Sequence, residues 1–270
     1  MAIKYLKTAK LKNKTVLLRV DVNEPINEHG VLEDDFRIRA IIPTIQFLTK
    51  QGCKVIIAGH LGRPEGKWDE SLSLRPVAQR LAELLTFKFV ETEHGLPDYP
   101  VNHLIFFRGN ITDLKTAASV QAILQKDIVF LENLRFYPGE EENSPAFSKT
   151  LANLCDVYVN DAFAVSHRDS ASIVGITKHR PSYAGLLLDK EIKSLTTVLI
   201  KPKSPFVVML GGIKISEKAK TLEHLGKKSD KILLGGGIAN MIFLAKGISV
   251  GKSNVENEAR DTAWHLLQNF

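Results

Sequence analysis

Short apolar runs alternate with longer stretches of helical pattern along most of the chain. The runs that predict strands are Val16–Asp21, Lys54–His60, Asp127–Asn133, Asp156–Asp161, Phe206–Gly211 and Lys231–Leu234. The stretches that predict helices are Asp35–Lys50, Leu74–Leu85, Pro145–Leu154, Glu217–Leu225 and Ala239–Lys246. Because these strands are nearly continuous in apolar residues rather than alternating, they indicate parallel sheets that are covered on both faces. Strand and helix in alternation then predict an α/β, doubly wound architecture.

The length of the chain favours two domains, since 270 residues exceed what one hydrophobic core usually supports. A helix predicted at Asp189–Ile200 is followed by two prolines, Pro202 and Pro205, which end the helix and stiffen the entry into the next strand. We therefore expect one domain over residues 1–185 and a second over 190–270. The second has few strands before its final helical pattern, so we expect its sheet to be truncated.

Composition and charge narrow the class of protein. Hydrophobic residues make up 44% of the chain and charged residues 24%, as in a soluble globular protein. No apolar stretch is long enough for a membrane span or a signal peptide, so we expect a cytoplasmic protein without a membrane partner. Cys53 and Cys155 are interpreted as reduced core residues. The net charge of +6 suits anionic partners, but the basic residues are dispersed and not interleaved with aromatics, which disfavours nucleic acid.

Polar and basic residues follow four of the predicted strands, at the edge where parallel sheets bind ligands. The candidates are Asp21, Asn23, Arg37, His60, Gly62, Arg63, Arg135 and Arg168. Guanidinium groups match carboxylate and phosphate oxygens, so four arginines at equivalent edges favour one shared anion site. Arg37 opens a helix, where a cation is unfavourable unless an anion binds between it and the free N–H groups. Turn chemistry for Asp21 and Asn23 and simple solvation for Arg37 remain open, and His167 is interpreted as structural.

The second domain offers glycines and lysines instead. Gly211 and Gly212 end a strand, and Lys214 and Lys218 follow with a spacing that places both ammonium groups on one side of a helix start. Lysine suits mobile phosphate oxygens, although two solvated lysines would give the same pattern. The run Gly235-Gly236-Gly237 allows the backbone to approach a flat purine ring.

Two tempting motifs in this domain do not fit their templates. The segment 247–253 has three residues between its glycines where a P-loop has four. The glycine run 235–237 lacks the last glycine of the dinucleotide fingerprint, because Asn240 stands there. Neither a P-loop nucleotidase nor an NAD enzyme is predicted.

Six fragments in this order resemble phosphoglycerate kinase. They are Leu18–Asn23, Gly59–Pro64, Glu132–Phe136, Asp161–Phe163, Gly211–Lys214 and Gly235–Gly237. The resemblance implies two doubly wound domains that close on a hinge. It implies that the first binds 3-phosphoglycerate or 1,3-bisphosphoglycerate and the second binds ADP or ATP with Mg²⁺. It further implies reversible phosphoryl transfer by a monomer, with no nucleic-acid or membrane partner.

The same resemblance implies a role for each matching residue. Asp21 and Asn23 would meet the glycerate, and its carboxylate and phosphate would be held by Arg37, His60, Leu61, Gly62, Arg63, Arg135 and Arg168. The nucleotide would be bound by Gly211, Gly212, Lys218, Gly235, Gly236 and Gly237. Arg37 and Lys214 would be catalytic, stabilising charge on the phosphoryl group in transfer. No residue of this chain is expected to ligate the metal.

Three departures from the family pattern accompany the match. Glu24 stands where the family usually has a small or apolar residue, and Ile213 replaces a usual alanine or serine. The segment that would hold magnesium is expected beyond Phe270.

Two hypotheses follow: an active kinase, or a catalytically silent fragment that binds only phosphoglycerate. A nucleic-acid binder using the basic cleft is a third.

Overall fold

The computed structural model describes residues 3–93, 102–122, 127–200 and 202–269. The chain divides into two compact units, Met1–Glu191 and Ile192–Phe270, here named the N-terminal unit and the C-terminal unit. The division falls inside one helix, Leu186–Ile200.

The N-terminal unit is built on a parallel sheet of seven described strands. They are β1 (Thr15–Arg19), β2 (Lys54–Ala58), β3 (Lys88–Thr92), β4 (His103–Phe107), β5 (Ile128–Leu131), β6 (Val157–Asn160) and β7 (Ser182–Ala184). Their order across the sheet is β3-β4-β5-β2-β1-β6-β7. From β1 the chain adds β2 beside it, crosses to the far edge at β3, fills the positions between with β4 and β5, and then returns to add β6 and β7 on the other side of β1. That reversal marks the position beside β1 where doubly wound sheets bind ligands.

Six described helices belong wholly or partly to this unit. They are α1 (Phe36–Lys50), α2 (Arg75–Leu85), α3 (Leu114–Gln121), α4 (Pro138–Glu141), α5 (Pro145–Asn153) and α6 (Leu186–Ile200). Short 3₁₀ turns lie at Leu6–Thr8, Glu70–Leu72, Leu134–Phe136, Phe163–Val165 and Gly175–Lys178.

The N-terminal sheet is covered on both faces, which confirms the predicted α/β fold. Val16 and Leu18 of β1 belong to one buried cluster, and Leu17 between them belongs to a second cluster on the opposite face. Successive side chains of a strand point to opposite faces, so a strand that is buried on both reads as a continuous apolar run. The strands are therefore continuous apolar runs in the sequence because their side chains pack on both faces of the sheet.

The predicted elements of the N-terminal unit are found with ends that differ by no more than three residues, but three strands were not predicted. β3 is a half-buried edge strand whose two apolar residues, Phe89 and Val90, stand side by side between polar ones, and β7 has only three residues. Short or partly exposed strands carry little periodicity. β4 is buried along its whole length, and its apolar run was a usable signal.

The C-terminal unit contains two parallel strands and three helices among its described residues. The strands are β8 (Val207–Gly212) and β9 (Lys231–Gly235), and the helices are α7 (Ala219–Gly226), α8 (Gly236–Ala245) and α9 (Arg260–Asn269). The final helical pattern of the sequence, predicted over Glu256–Leu267, forms a helix later than expected, because a 3₁₀ turn at Asn257–Ala259 precedes α9.

Among the described residues, only one face of the sheet of the C-terminal unit is covered. The apolar strands of this unit predicted cover on both faces. A buried cluster that includes Ile215, Ile238 and Met241 packs on one face. On β8 and β9, Met209 is 79% exposed and Leu233 is 48% exposed. Across the described ranges, no helix is both long and apolar enough to cross a membrane.

Candidate functional site

A cavity of about 280 Å³ lies at the carboxyl edge of the N-terminal sheet. It is lined by Asp21, Asn23, Arg37, His60, Gly62, Arg63, Arg135, Ala164, Val165, His167 and Arg168. We call this cavity the arginine pocket. Its lining residues follow β1, β2, β5 and β6 or open α1, so four strands of one sheet contribute to it. This is the position that the topology of the sheet predicts for a ligand.

The structure brings together all the predicted residues of the phosphoglycerate site except Leu61. The Leu61 side chain is buried in the hydrophobic core, and its carbonyl oxygen accepts a hydrogen bond of 2.8 Å from Asn133 Nδ2. His167, which the sequence suggested was structural, lines the pocket together with Ala164 and Val165. The 3₁₀ turn at Phe163–Val165 positions this wall, and its short apolar sequence gave no signal of that role.

The loop after β2 is held by hydrogen bonds and by a glycine. Asn23 Oδ1 accepts a hydrogen bond of 2.8 Å from the backbone N–H of Gly62. Gly62 has a φ of +59°, and a Cβ atom there would lie 2.6 Å from a methyl carbon of Leu72. Only glycine meets both conditions without strain. The loop that carries His60 and Arg63 into the pocket is therefore fixed before any ligand binds.

Glu132 and Asn133 support the same loop from below rather than contacting a ligand. Glu132 is buried and accepts hydrogen bonds from the Ser73 hydroxyl at 2.7 Å, the Leu74 N–H at 2.8 Å and the Asn133 N–H at 2.8 Å. Burial raises the pKa of the Glu132 carboxyl above its usual value despite these bonds. Asn133 donates to Leu72 as well as to Leu61. Glu132 and Asn133, which belong to the fragment Glu132–Phe136 that resembles the family, therefore have a structural role.

Arg135 is the half-buried arginine of the pocket. Its Nη1 donates to the Gly62 carbonyl oxygen at 2.7 Å, and its Nε lies 3.3 Å from Glu141 Oε1. Burial lowers the pKa of Arg135 despite the charge of Glu141, with Arg19, Arg168 and Arg63 adding to the effect. Desolvated guanidinium groups close to one another are expensive unless an anion binds among them. The site is therefore complementary to an anion.

The beginning of α1 differs from what the sequence suggested. The backbone N–H of Arg37 donates to Glu24 Oε1 at 2.6 Å, so a buried carboxylate of the chain already occupies one of the helix's free donors. Burial raises the pKa of Glu24, while hydrogen bonds from the Arg37 and Ile38 backbones lower it. The expected anion between Arg37 and these N–H groups is thus supplied by Glu24 itself. The Arg37 side chain donates to the Asn23 carbonyl oxygen and lines the pocket.

His60 is almost fully buried in the wall of the pocket, with 3% of its surface exposed. Burial lowers its pKa to about 2, helped by the positive charges of Arg19, Arg135, Arg37 and Arg168. The imidazole is therefore neutral at physiological pH and acts through hydrogen bonds rather than charge. Arg19 was not among the predicted site residues, since it lies within an apolar strand.

The C-terminal unit places its candidate glycines at the ends of two neighbouring strands and at the start of α8. Gly211 is in register with Gly235, and Gly212 forms a bridge with Gly236. A Cβ atom at Gly237 would lie 2.3 Å from the Ile213 carbonyl oxygen, so close backbone packing explains that glycine without a ligand. Above Gly235, by contrast, no atom of a described residue other than its two chain neighbours lies within 4 Å of the position that a Cβ would take. Open space at a strand end is what a flat ligand requires.

Lys214 and Lys218 are both exposed, in the segment between β8 and α7. Lys218 stands at the N-cap of α7. Glu256 accepts hydrogen bonds from the Ser216 hydroxyl and, at 3.1 Å, from the Ser216 N–H, and these bonds, with the charge of Lys214, lower the pKa of Glu256. The two lysines are thus point charges beside a helix start, with fewer fixed contacts than Arg37 and Arg135 of the N-terminal unit.

Comparison with known proteins agrees with this arrangement. The family model for phosphoglycerate kinase matches residues 6–270. The chain belongs to the phosphoglycerate kinase family. It is 43% identical over 267 residues to the phosphoglycerate kinase of Desulforudis audaxviator and 42% identical over 266 residues to that of Thermosynechococcus vestitus. These alignments cover 99% and 98% of this chain, and 64% and 62% of the two relatives.

Solved phosphoglycerate kinase structures have the same fold. The enzyme of Coxiella burnetii superposes with a TM-score of 0.81 at 36% identity, over 99% of this chain and 63% of that one. The enzyme of Pyrococcus horikoshii superposes with a TM-score of 0.78 at 30% identity, over 99% and 65%. The chain thus spans slightly less than two thirds of the length of the phosphoglycerate kinases that it matches.

Proposed function

We propose that this protein acts as a phosphoglycerate kinase, which transfers a phosphoryl group from 1,3-bisphosphoglycerate to ADP and gives 3-phosphoglycerate and ATP. The observation that carries the proposal is the arginine pocket. Four arginines, a neutral histidine, Asp21 and Asn23, which follow four strands or open α1, converge on one cavity. Phosphoglycerate presents a phosphate, a carboxylate and a hydroxyl group, which these side chains match.

In this proposal, Arg37, Arg63, Arg135 and Arg168 bind the anionic groups, and Asp21 and Asn23 orient the glycerate. An oxygen of the ADP β-phosphate attacks the phosphorus of the acyl phosphate, and the bond from phosphorus to the acyl oxygen breaks. The leaving group is a carboxylate, which is weakly basic, so no general acid or base is required. Catalysis then consists of positioning and electrostatic stabilisation, which Arg37 and Lys214 supply.

The nucleotide is assigned to the C-terminal unit, with Gly211, Gly212 and the run 235–237 beside the base and Lys218 near the phosphates. Mg²⁺ would accompany ADP or ATP and neutralise phosphate charge. Within the described ranges, no group of three or more His, Cys, Asp or Glu side chains could hold a metal ion. In this proposal no residue of this chain is assigned as a metal ligand, and no step is derived through the metal.

The alternative function is binding of phosphoglycerate without turnover. It is favoured by the contrast between the fixed arginine pocket and the exposed Lys214 and Lys218. Calorimetric titration with 3-phosphoglycerate and with ADP, beside a coupled assay of ATP formation, separates the two functions. Turnover supports the kinase, binding without turnover supports the alternative, and absence of phosphoglycerate binding would contradict both.

A further inference from the structure

A buried arginine adjoins the arginine pocket without being one of its lining residues. Arg19 is the last residue of β1 and is 2% exposed. Its Nε donates to Ser172 Oγ at 2.9 Å, and one Nη donates to the Val20 carbonyl oxygen. The other, Nη2, lies 3.2 Å from His60 Nδ1. Arg19 therefore contacts the pocket residue His60, and it lines a neighbouring cavity that shares Arg135 and Arg168 with the arginine pocket.

The contacts of Arg19 continue into a buried carboxylate. The Ser172 hydroxyl donates to Glu140 Oε1 at 2.5 Å, and the Ser172 backbone N–H donates to Glu140 Oε2 at 2.9 Å. Glu140 is 2% exposed and Ser172 is fully buried. We call the chain Glu140, Ser172, Arg19 and His60 the Arg19 network. Each member forms a hydrogen bond with the next, so these buried contacts fix the position of the His60 ring.

The chemistry of the guanidinium group decides which nitrogen of His60 carries the proton. Arginine has five N–H donors and no acceptor, so a hydrogen bond from Nη2 requires a lone pair on His60 Nδ1. A neutral imidazole with a lone pair on Nδ1 carries its proton on Nε2. Nε2 forms no hydrogen bond to any described residue, while the His60 ring lines the pocket. It is the remaining donor of the ring.

We infer that Arg19 is a positioning residue that fixes His60 as the neutral tautomer protonated on Nε2, so that His60 offers one uncharged N–H donor to an anion in the arginine pocket. That the anion is phosphoglycerate rests on the proposed function. The tautomer of the His60 ring does not rest on the proposed function, because it follows from the Arg19 network alone. The pocket thereby gains a directional donor without a further buried charge.

The charged groups that face His60 support a neutral ring. They are Arg19 at the end of β1, Asp21 after it, Arg37 in α1, Arg63 after β2, Arg135 after β5, and His167 and Arg168 after β6. Five of these seven groups are arginines, and burial together with Arg19, Arg135, Arg37 and Arg168 lowers the pKa of His60 to about 2. Ligand affinity should therefore not depend on protonation of His60 near neutral pH.

Nitrogen-15 NMR of the imidazole rings in the full chain tests the inference directly. The His60 signals are assigned by their loss in His60→Gln. In the ligand-free wild type we expect Nε2 protonated and Nδ1 unprotonated from about pH 5 to about pH 8. Arg19→Met should give a mixture of tautomers or a ring that titrates in this range. Arg19→Lys should keep the wild-type tautomer, because an ammonium group is also a pure donor.

A double-mutant cycle tests whether Arg19 acts through His60. Glutamine offers an N–H donor that needs no tautomer to be selected. Arg19→Met should therefore weaken 3-phosphoglycerate binding several-fold more in the wild type than in the His60→Gln background. Arg39→Met, on the exposed side of α1 where Arg39 pairs with Asp35, is the matched control and should leave binding unchanged.

The outcomes separate this inference from the proposed function. A wild-type ring that is protonated on Nδ1, or that titrates near pH 6.5, would overturn the inference whatever the protein binds. Equal effects of Arg19→Met in both backgrounds would show that Arg19 does not act through His60. A ring protonated on Nε2 in a protein that does not bind 3-phosphoglycerate would contradict only the proposed function. If Arg19→Met fails to fold, the wild-type spectrum and Arg19→Lys still decide.

Discussion

Both units have their candidate residues at the carboxyl edge of a parallel sheet, but the two candidate sites are made of different groups. In the N-terminal unit, side chains from four strands line one cavity, and hydrogen bonds hold Asn23, Arg135 and His60 in place. In the C-terminal unit, the candidates are glycines on two strands and two exposed lysines. One edge recognises charge with fixed side chains, while the other offers backbone surface and point charges.

This difference has an energetic meaning. Groups that are already positioned lose little freedom when a ligand binds, so more of their interaction energy appears as affinity or as transition-state stabilisation. Exposed lysine side chains must be ordered on binding, which costs about 0.5–1.5 kcal/mol for each. We therefore expect the N-terminal edge to bind its ligand in the isolated protein more firmly than the C-terminal edge binds nucleotide.

The largest expected effect concerns one cation from each edge. Arg37→Met and Lys214→Met should each lower kcat about a hundredfold, because a lost group that stabilises developing charge costs about 3 kcal/mol. Steady-state assays of ATP formation measure this, with Arg39→Met and Lys220→Met as controls from the same segments. Unchanged kcat for Arg37→Met would refute its catalytic role, and unchanged kcat for Lys214→Met alone would limit catalysis to the N-terminal edge.

The next effect concerns binding at the N-terminal edge. Arg135→Met and Arg63→Met should raise the KM for phosphoglycerate, because a hydrogen bond to a charged group contributes about 1.5–3 kcal/mol, or roughly ten- to a hundredfold in affinity. Arg135 is half-buried and fixed to Gly62, whereas Arg63 is exposed, so Arg135→Met should have the larger effect. Calorimetric titration together with thermal melting separates lost binding from lost folding. Equal and small changes in both variants would contradict a shared anion site.

Much of this site could be predicted from sequence because it consists of polar residues that directly follow apolar runs. The parts that could not be predicted depend on contacts between distant segments. Arg19 belongs to an apolar strand, and its partner Ser172 lies 153 positions away. Glu24 looked like an extra charge at an anion site, and only the fold shows that its carboxylate accepts the N–H of Arg37. Edge strand β3 was missed because half-burial erases its periodicity.

A pair of glycines tests whether the C-terminal edge is shaped by packing or by a ligand. Gly237→Ala should lower the free energy of unfolding by about 1–3 kcal/mol, because the new methyl group would overlap the Ile213 carbonyl oxygen. Gly235→Ala should leave folding almost unchanged, since nothing lies near its Cβ position, but should weaken ADP binding. Thermal melting and ADP titration of both variants measure this. Unchanged ADP affinity in Gly235→Ala would remove that residue from the nucleotide site.

His60 should make stability dependent on pH. Its pKa in the folded protein is lowered from 6.5 to about 2, so below pH 6.5 the unfolded chain takes up a proton that the folded protein does not. Stability is therefore lost as the pH falls, by at most about 1.4 kcal/mol per pH unit for this one group. Between about pH 6.5 and pH 5, His60→Gln should lose stability less steeply than the wild type in denaturant titrations. A parallel slope, with exposed His29→Gln as control, would show that His60 is charged in the folded state.

The smallest expected effect concerns the ion pair that opposes ligand binding. Glu141 Oε1 lies 3.3 Å from Arg135 Nε and its side chain is 44% exposed, so it competes with an anion for the same guanidinium. Exposed pairs are worth at most about 1 kcal/mol, so Glu141→Gln should tighten 3-phosphoglycerate binding by no more than roughly fivefold. The gain should shrink in high salt, which screens the competing charge. Titrations at low and high salt, with the neighbouring exposed Glu142→Gln as control, measure both effects. Weaker binding in Glu141→Gln would mean that Glu141 orients Arg135 instead of competing for it. Exposed residues, and not only the buried contacts, would then fix the side chains of the N-terminal edge.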